Sequence, residues 1–317
     1  MLAKHPVVPS NTRSPFLDDV LAGLSRPQKA PPGKYLWDEI GSDLFDRICG
    51  TDDYYLTRRE MALLEEAAPE VAEIVGAGAC LVEYGSGASR KVRILLDAME
   101  RPSRYVAIDI SAEYLDAATE RIAADYPHVA VQPVVADYTQ PIEIPGRTGG
   151  EPILGFFPGS TIGNFARDGV ITFLERARAT IGHGWLLIGH DPNQDEATLE
   201  RAYGEADGLM AALHLNLLRR LRTDLGADVD MNAFHHEVRI RRDPPRVEAY
   251  LTATRATSLR IAGHVIPLGA GESIHTDMSY KMDTDVFCDL TKRAGWATVR
   301  TWLDPDGFYG LHLLRTT

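Results

Sequence analysis

Short apolar runs alternate along the middle of this chain with segments whose apolar residues recur at helical spacing. The runs predict strands at residues 80–84, 105–110, 129–135, 153–157 and 185–189. The segments between them predict helices at 91–100, 112–126 and 168–181. Strands that are separated by helices of this length form a parallel sheet with helices on both faces, so the pattern predicts an α/β fold.

Both ends of the chain depart from this alternation. Residues 1–29 are rich in Pro, Ser and Asn, and we expect an extended N-terminal segment there. Residues 57–60, Thr-Arg-Arg-Glu, have the pattern of a capping box, which predicts a helix from there to about Val75. Residues 199–225 again have helical spacing, and from Glu237 the chain becomes β-rich. A helix at 284–294 and a closing hairpin, 297–303 with 309–314, complete the pattern.

A glycine-rich turn follows the first predicted strand. Gly85 and Gly87 end the run VEYGSG, and Asp109 ends the next strand. Glycines let the backbone approach a ligand closely, and a carboxylate at a strand tip can accept both hydroxyls of a ribose. A dinucleotide site would need a third glycine, but Ala88, Ser89 and Arg90 follow instead. The motif therefore favours a site for S-adenosylmethionine. An NAD-dependent oxidoreductase is one alternative, and an ordinary strand-to-helix turn that binds no ligand is the other.

The closing hairpin supports the same choice. A doubly wound sheet that ends in an antiparallel hairpin is typical of the seven-stranded, Rossmann-like methyltransferase sheet, whereas dehydrogenases normally continue with parallel strands. We expect that sheet to be formed by residues 61–195 and 284–317. A smaller α+β substrate domain is expected from residues 196–283 together with 30–60.

Ligands in such sheets bind beyond the carboxyl ends of the strands. Asp137 and Tyr138 follow the third strand, and Asp137 is a candidate acceptor for an adenine amino group or else a turn cap. Lys91, at its helix start, is a candidate partner for the cofactor's carboxylate or else a solvated lysine. Gly159 to Asn164 follows the fourth strand, and the Asn164 amide can pair with an ammonium or a carboxylate, or else cap the next helix.

Composition excludes several classes of function. Of 317 residues, 44% are hydrophobic, which suits a globular protein. The net charge of −12 should repel nucleic acid and anionic membranes. Three widely spaced cysteines favour reduced thiols and a cytoplasmic location, and the ten histidines lack metal-ligand spacing, so no metal is expected. A Gly-x-Ser-x-Gly hydrolase elbow is also lacking.

Five motifs together resemble the histidine-specific, S-adenosylmethionine-dependent methyltransferases that make hercynine for ergothioneine biosynthesis. They are GSDLFDRI (41–48), DYYLTRRE (53–60), EYGSGASRK (83–91), FPGSTIGNF (157–165) and HTDMSYKM (275–282). The resemblance runs from about Gly33 to the C-terminus. It implies that the protein trimethylates the α-amino group of L-histidine and releases S-adenosyl-L-homocysteine. We expect the protein to be a monomer.

The resemblance also implies roles for single residues. The cofactor would be held by Gly85, Lys91, Asp109, Asp137, Gly159 and Thr161, with Phe45 and Trp37 near it. Tyr54, Asn164 and Tyr203 would hold the amino acid's α-amino and carboxylate groups, with Tyr54 and Asn164 as the candidate catalytic residues. Asp277 and Ser279 would contact the imidazole.

Trp37 stands where the family pattern has a tyrosine, and two further departures bear on the choice of substrate. Asp277 replaces a glutamate and Ala249 replaces a methionine, and both changes enlarge the side-chain end of the pocket. A missing methylene can shift discrimination by about 1–3 kcal/mol. Tryptophan or tyrosine is therefore an alternative substrate to histidine, and a cofactor-binding protein without catalysis is a second alternative.

Overall fold

The computed structural model describes residues 14–87, 90–147, 149–205 and 208–317. Residues 1–13 of the predicted N-terminal segment, and Ala88 and Ser89 of the glycine-rich turn, lie outside the described residues. The described helices are α1 Pro15–Leu24, α2 Glu39–Ile48, α3 Tyr55–Val75, α4 Arg90–Ala98, α5 Ala112–Asp125, α6 Arg167–Ile181, α7 Glu196–Glu200, α8 Leu209–Leu225 and α9 Thr284–Arg293.

Seven strands form the main sheet of the molecule. They are β1 Cys80–Tyr84, β2 Arg104–Asp109, β3 Ala130–Val135, β4 Ile153–Phe157, β5 Trp185–His190, β11 Trp296–Leu303 and β12 Gly310–Thr316. The spatial order is β11-β12-β5-β4-β1-β2-β3, in which only β12 runs antiparallel to its neighbours. The doubly wound, seven-stranded α/β sheet and its closing hairpin are thereby confirmed. Every residue of β1 and β4 is buried, as expected for central strands that are covered on both faces.

A separate antiparallel sheet contains the β-rich part of the chain. Its strands are β6 Phe234–Arg242, β7 Pro245–Ala253 and β10 Ser273–Tyr280, in the order β10-β7-β6. A two-stranded ribbon, β8 Thr257–Ile261 with β9 His264–Leu268, extends from it. The exact division into a cofactor domain and a substrate domain remains a prediction, and α3 runs without a break across its proposed boundary at residue 60.

The described part of the N-terminal segment contains a helix, α1, where we expected extended chain. Helix α1 begins at a proline, which suits the first turn of a helix because proline lacks the N–H that would be unpaired there. Phe16, Val20 and Leu24 recur at helical spacing and are buried. Their apolar face drives helix formation despite the polar composition of the surrounding segment.

The predicted capping box was also wrong. Helix α3 begins at Tyr55, two residues before Thr57, so Thr57 lies inside the helix and Tyr54 stands at its N-cap. Glu60 is fully buried, and its carboxylate contacts other elements instead of the helix's own first turn. Glu60 thus pairs with Lys91 of another helix instead of capping the first turn of α3.

Candidate functional site

The glycine-rich turn and Asp109 meet at the carboxyl ends of β1 and β2. Gly85 and Gly87 have φ angles of +73° and +48°, the left-handed region that glycine adopts without strain. The Asp109 carboxylate accepts hydrogen bonds from Gly87 N (3.2 Å) and Ser111 N (3.0 Å). These contacts fix the carboxylate at the strand tip, beside the turn, as the sequence predicts.

A chamber of about 470 Å³ opens in front of this turn. It lies within the usual range for small-molecule sites, roughly 300–1,000 Å³. Its walls include Gly85, Gly87, Asp109, Asp137 and Tyr138. We call it the cofactor chamber. Asp137 also accepts from Thr139 N at 2.9 Å, so the turn-capping role considered from the sequence is present as well.

Four aromatic rings lead from the cofactor chamber into a second, smaller space of about 120 Å³, which we call the substrate chamber. Trp37 packs edge-to-face on Phe45 at 5.2 Å, Phe45 on Tyr54 at 5.8 Å, and Tyr54 on Tyr203 at 6.1 Å between ring centroids. Burial raises the pKa of Tyr54 and of Tyr203, so both hydroxyls stay protonated and can donate. Tyr203 lies on a single π-helical turn, Arg201–Glu205, of the kind often found at functional sites.

Asn164 is placed by the loop after β4. The loop ends in a 3₁₀ turn, Thr161–Asn164, and the next helix has Ala166 at its N-cap, so Asn164 does not cap that helix. Gly163 lies so close to β10 that a Cβ there would come within 2.9 Å of the Tyr280 carbonyl oxygen. This close approach brings Asn164 to the walls of both chambers.

A buried carboxylate supports the same loop. Both oxygens of Glu60 accept from Gly159 N, at 2.8 and 2.9 Å, and Glu60 also pairs with Lys91 Nζ at 2.5 Å. Lys91 is absent from the walls of both chambers. Its role at the cofactor's carboxylate stays a prediction, and the contact that the structure shows is with Glu60.

One wall of the substrate chamber is formed by the antiparallel sheet. Asp277 on β10 lies directly opposite Ala249 on β7, and cross-strand partners share a face of the sheet. Ser279, two residues along β10, lines the same chamber, as does Tyr203. The six substrate-site residues predicted from the sequence, including Tyr54 and Asn164, therefore line one space.

Asp277 has a perturbed acidity. Burial raises its pKa to about 6, although the N–H of Met278 donates to its Oδ1 at 2.9 Å and opposes the shift. Burial and the neighbouring His236 lower the pKa of the chamber residue His214 to about 3, so this imidazole is neutral. At neutral pH the carboxylate is therefore an acceptor in a poorly solvated pocket.

Sequence reasoning missed several residues around the substrate chamber. Lys281 and Asp191 are fully buried and paired at 2.5 Å, and Lys281 also donates to Tyr203 and Ser279. A signal was available: residues 277, 279 and 281 alternate along β10 and just beyond it, so their side chains share one face. His214 was missed because nothing in its helical pattern distinguishes a chamber wall from the core.

The histidines do not assemble a metal centre within the described residues, where no group of three or more His, Cys, Asp or Glu side chains could hold an ion. His236 stacks on His214 with ring centroids 4.7 Å apart. Within the same part of the chain, no helix is long and apolar enough to cross a membrane.

Cofactor and substrate chambers are two parts of one cleft, because six residues line both of them: Trp37, Phe45, Tyr138, Thr161, Asn164 and Asp277. The Asp109 carboxylate beside two left-handed glycines fits the ribose of S-adenosylmethionine, and Asp137 fits its adenine amino group. A seven-stranded sheet with an antiparallel seventh strand and such a cleft defines the class of S-adenosylmethionine-dependent methyltransferases.

Comparison with known proteins identifies the family. The chain belongs to the histidine-specific, S-adenosylmethionine-dependent methyltransferases, whose family model matches residues 16–316. It is 37% identical over 304 residues to a histidine N-alpha-methyltransferase of Mycolicibacterium smegmatis, with 93% of each chain covered. It is 35% identical to the protein of that name from Mycobacterium tuberculosis, again with 93% of each covered. It is 29% identical to ergothioneine biosynthesis protein 1 of Neurospora crassa, covering 93% of this chain and 34% of that one.

Proposed function

We propose that this protein transfers methyl groups from S-adenosylmethionine to the α-amino nitrogen of L-histidine and forms hercynine, a step of ergothioneine biosynthesis. The observation that carries the proposal is the continuous cleft, in which a chamber fit for the cofactor opens into one lined by Asp277 and Ser279. The names of the relatives from two mycobacterial species support the same substrate.

Asp109, Asp137 and the glycines of the β1 turn would hold the cofactor. When bound, it supplies an electrophilic methyl group on its sulfonium. Trp37, Phe45 and Tyr138 line the passage between the chambers.

Asn164, Tyr54 and Tyr203 would bind the amino acid's carboxylate and amine. The raised pKa values of the two tyrosines favour hydrogen-bond donation over proton abstraction, so we assign Tyr54 to positioning of the substrate and not to general-base catalysis. A free α-amino group has a pKa of about 8, so a minority of the substrate is neutral and reactive at pH 7. Precise placement of that amine can lower the barrier by about 7–11 kcal/mol.

Asp277 and Ser279 would recognise the imidazole. The Asp277 carboxylate accepts from a ring N–H, and the Ser279 hydroxyl can donate to or accept from the other ring nitrogen. The short side chain of Ala249, directly across the sheet, leaves room beside the ring. This room is the reason to test larger aromatic amino acids as well.

A screen of all twenty amino acids with methyl-labelled S-adenosylmethionine tests the proposal. We expect labelled product with histidine, and mass spectrometry should show the mass of three added methyl groups. Product with tryptophan or tyrosine and none with histidine would overturn the substrate assignment. No product with any amino acid, together with retained cofactor binding by calorimetry, would favour a non-catalytic cofactor-binding protein.

We place the reaction in the cytoplasm and expect a monomer. The location is supported by Cys49, Cys80 and Cys288, which are free thiols in the structure. Light scattering of the purified protein tests the monomer, and a dimer mass would contradict it.

A further inference from the structure

A buried lysine that the proposed reaction does not use lies directly behind the substrate chamber. The Lys281 side chain is 0% exposed, and its Nζ lies 2.5 Å from Asp191 Oδ2, 2.7 Å from the Tyr203 hydroxyl and 3.1 Å from Ser279 Oγ. An ammonium has three N–H donors, so each has one acceptor here. Two of these acceptors, Tyr203 and Ser279, line the chamber.

Asp191 fixes this lysine from the other sheet. It follows β5 of the main sheet, whereas Lys281 follows β10 of the antiparallel sheet. Its Oδ2 also accepts from the Tyr55 hydroxyl at 2.5 Å, and its Oδ1 accepts from Asn193 N at 2.9 Å. Burial alone would lower the pKa of Lys281, but the charges and hydrogen bonds of Asp191 and Tyr203 together outweigh burial, so the pKa is raised. Lys281 is therefore protonated at neutral pH.

The contact with Lys281 determines whether the Tyr203 hydroxyl acts as a hydrogen-bond donor or acceptor toward a ligand. Its oxygen accepts from the ammonium, so its own proton is left for another partner. Among the described residues, that proton has Ser279 Oγ as its acceptor, at 3.4 Å, which is a long hydrogen bond. A hydroxyl that accepts from a cation becomes a stronger donor, because hydrogen bonds in a chain polarise one another.

We propose that Lys281, held by Asp191, is a positioning residue that aims and strengthens the Tyr203 hydroxyl as a donor to the carboxylate of the amino-acid substrate. The positive charge stands one layer behind the chamber wall, where it complements that carboxylate without touching it. The preference of the enzyme for an α-amino acid over the amine that lacks the carboxylate then depends on Lys281. The inference rests on the proposed function.

Removing Lys281 alone would leave Asp191 as a buried, unpaired charge, which is strongly destabilising. The test therefore uses the neutral pair Lys281→Met with Asp191→Asn, in which the amide oxygen can still accept from Asn193 N and the amide NH2 can donate to the Tyr55 hydroxyl oxygen. We expect the KM for histidine to rise about 10- to 100-fold, the range for loss of a hydrogen bond to a charged group, with a smaller change in kcat. The inhibition constant of histamine, which lacks the carboxylate, should change less than about 3-fold.

A cycle with Tyr203→Phe separates positioning from a structural role. If Lys281 acts through the Tyr203 hydroxyl, the neutral pair should change the histidine KM by less than about 3-fold once that hydroxyl is gone. An equal loss for histidine and histamine, or the full effect in the Tyr203→Phe background, would overturn the inference. The wild type tests the proposed function separately: if it methylates another amino acid, the same cycle is run with that amino acid and its decarboxylated amine.

Discussion

Replacing Asp277 with asparagine should change how the protein's stability depends on pH. Burial raises the pKa of Asp277 from an ordinary value of 3.8 to about 6. The asparagine side chain has nearly the same size and its amide oxygen can still accept from Met278 N, but it does not ionise. The substitution therefore removes one titration and preserves the packing.

The magnitude follows from linkage between protonation and folding. Each tenfold difference in proton affinity corresponds to about 1.4 kcal/mol, so the difference between 3.8 and about 6 corresponds to about 3 kcal/mol. The raised pKa means that the folded state binds the proton more tightly than the unfolded chain. The contribution of Asp277 to stability is thus fully present below about pH 4 and is lost as the pH rises through about 6.

Urea denaturation of the wild type and Asp277→Asn at several pH values between about 4 and 8 measures this effect. Subtracting the two free energies of unfolding at each pH cancels the titration of all other groups. We expect the variant to gain about 3 kcal/mol relative to the wild type across that interval. The matched control, Asp289→Asn, removes a negative charge from the exposed face of α9 and reports the effect of net charge alone. A difference between wild type and Asp277→Asn that stays constant within about 1 kcal/mol would refute the reasoning.

Three other substitutions test the two chambers and the main sheet. Asp109→Ala should abolish cofactor binding in calorimetry because it removes the acceptor for the ribose; undiminished affinity would remove that assignment. Asn164→Ala should raise the KM of the amino acid about 10-fold or more through loss of a hydrogen bond to a charged group, and a change confined to the cofactor's KM would contradict it. Gly189→Ala should lower stability by about 1–3 kcal/mol in thermal unfolding because its Cβ would overlap the Tyr309 hydroxyl, whereas Gly204→Ala, with open space around it, is the control. Equal stability of these two variants would refute the steric argument.

The main sheet could be predicted from the sequence because its signal is local. Buried parallel strands are continuous apolar runs, and the helices between them show a clear period, so the predicted strand 153–157 matches β4 at both ends. The glycine turn and Asp109 were predictable for the same reason, since the ends of neighbouring parallel strands must lie at one edge.

The support behind the substrate chamber was not predictable in this way. Lys281 resembles any surface lysine in the sequence, and its partner Asp191 lies 90 residues away, after a strand of another sheet.

The prediction of a capping box at residues 57–60 failed for a related reason. Thr57 and Glu60 have the right spacing for a local cap, but a carboxylate that finds a backbone N–H and a lysine in the core gains more from those partners than from its own helix. Local spacing cannot reveal such competition.

The Glu60 carboxylate connects the walls of the two chambers. It belongs to α3, which begins immediately after Tyr54, and it binds both the loop that carries Asn164 and Lys91 beside the glycine-rich turn. A movement of α3 would therefore shift a substrate-chamber tyrosine, the Asn164 loop and the wall of the cofactor chamber together. Without this buried carboxylate, Gly159 N would lose both of the oxygens to which it donates. The proposed placement of the amine beside the methyl donor would thus depend on Glu60, which is absent from the walls of both chambers.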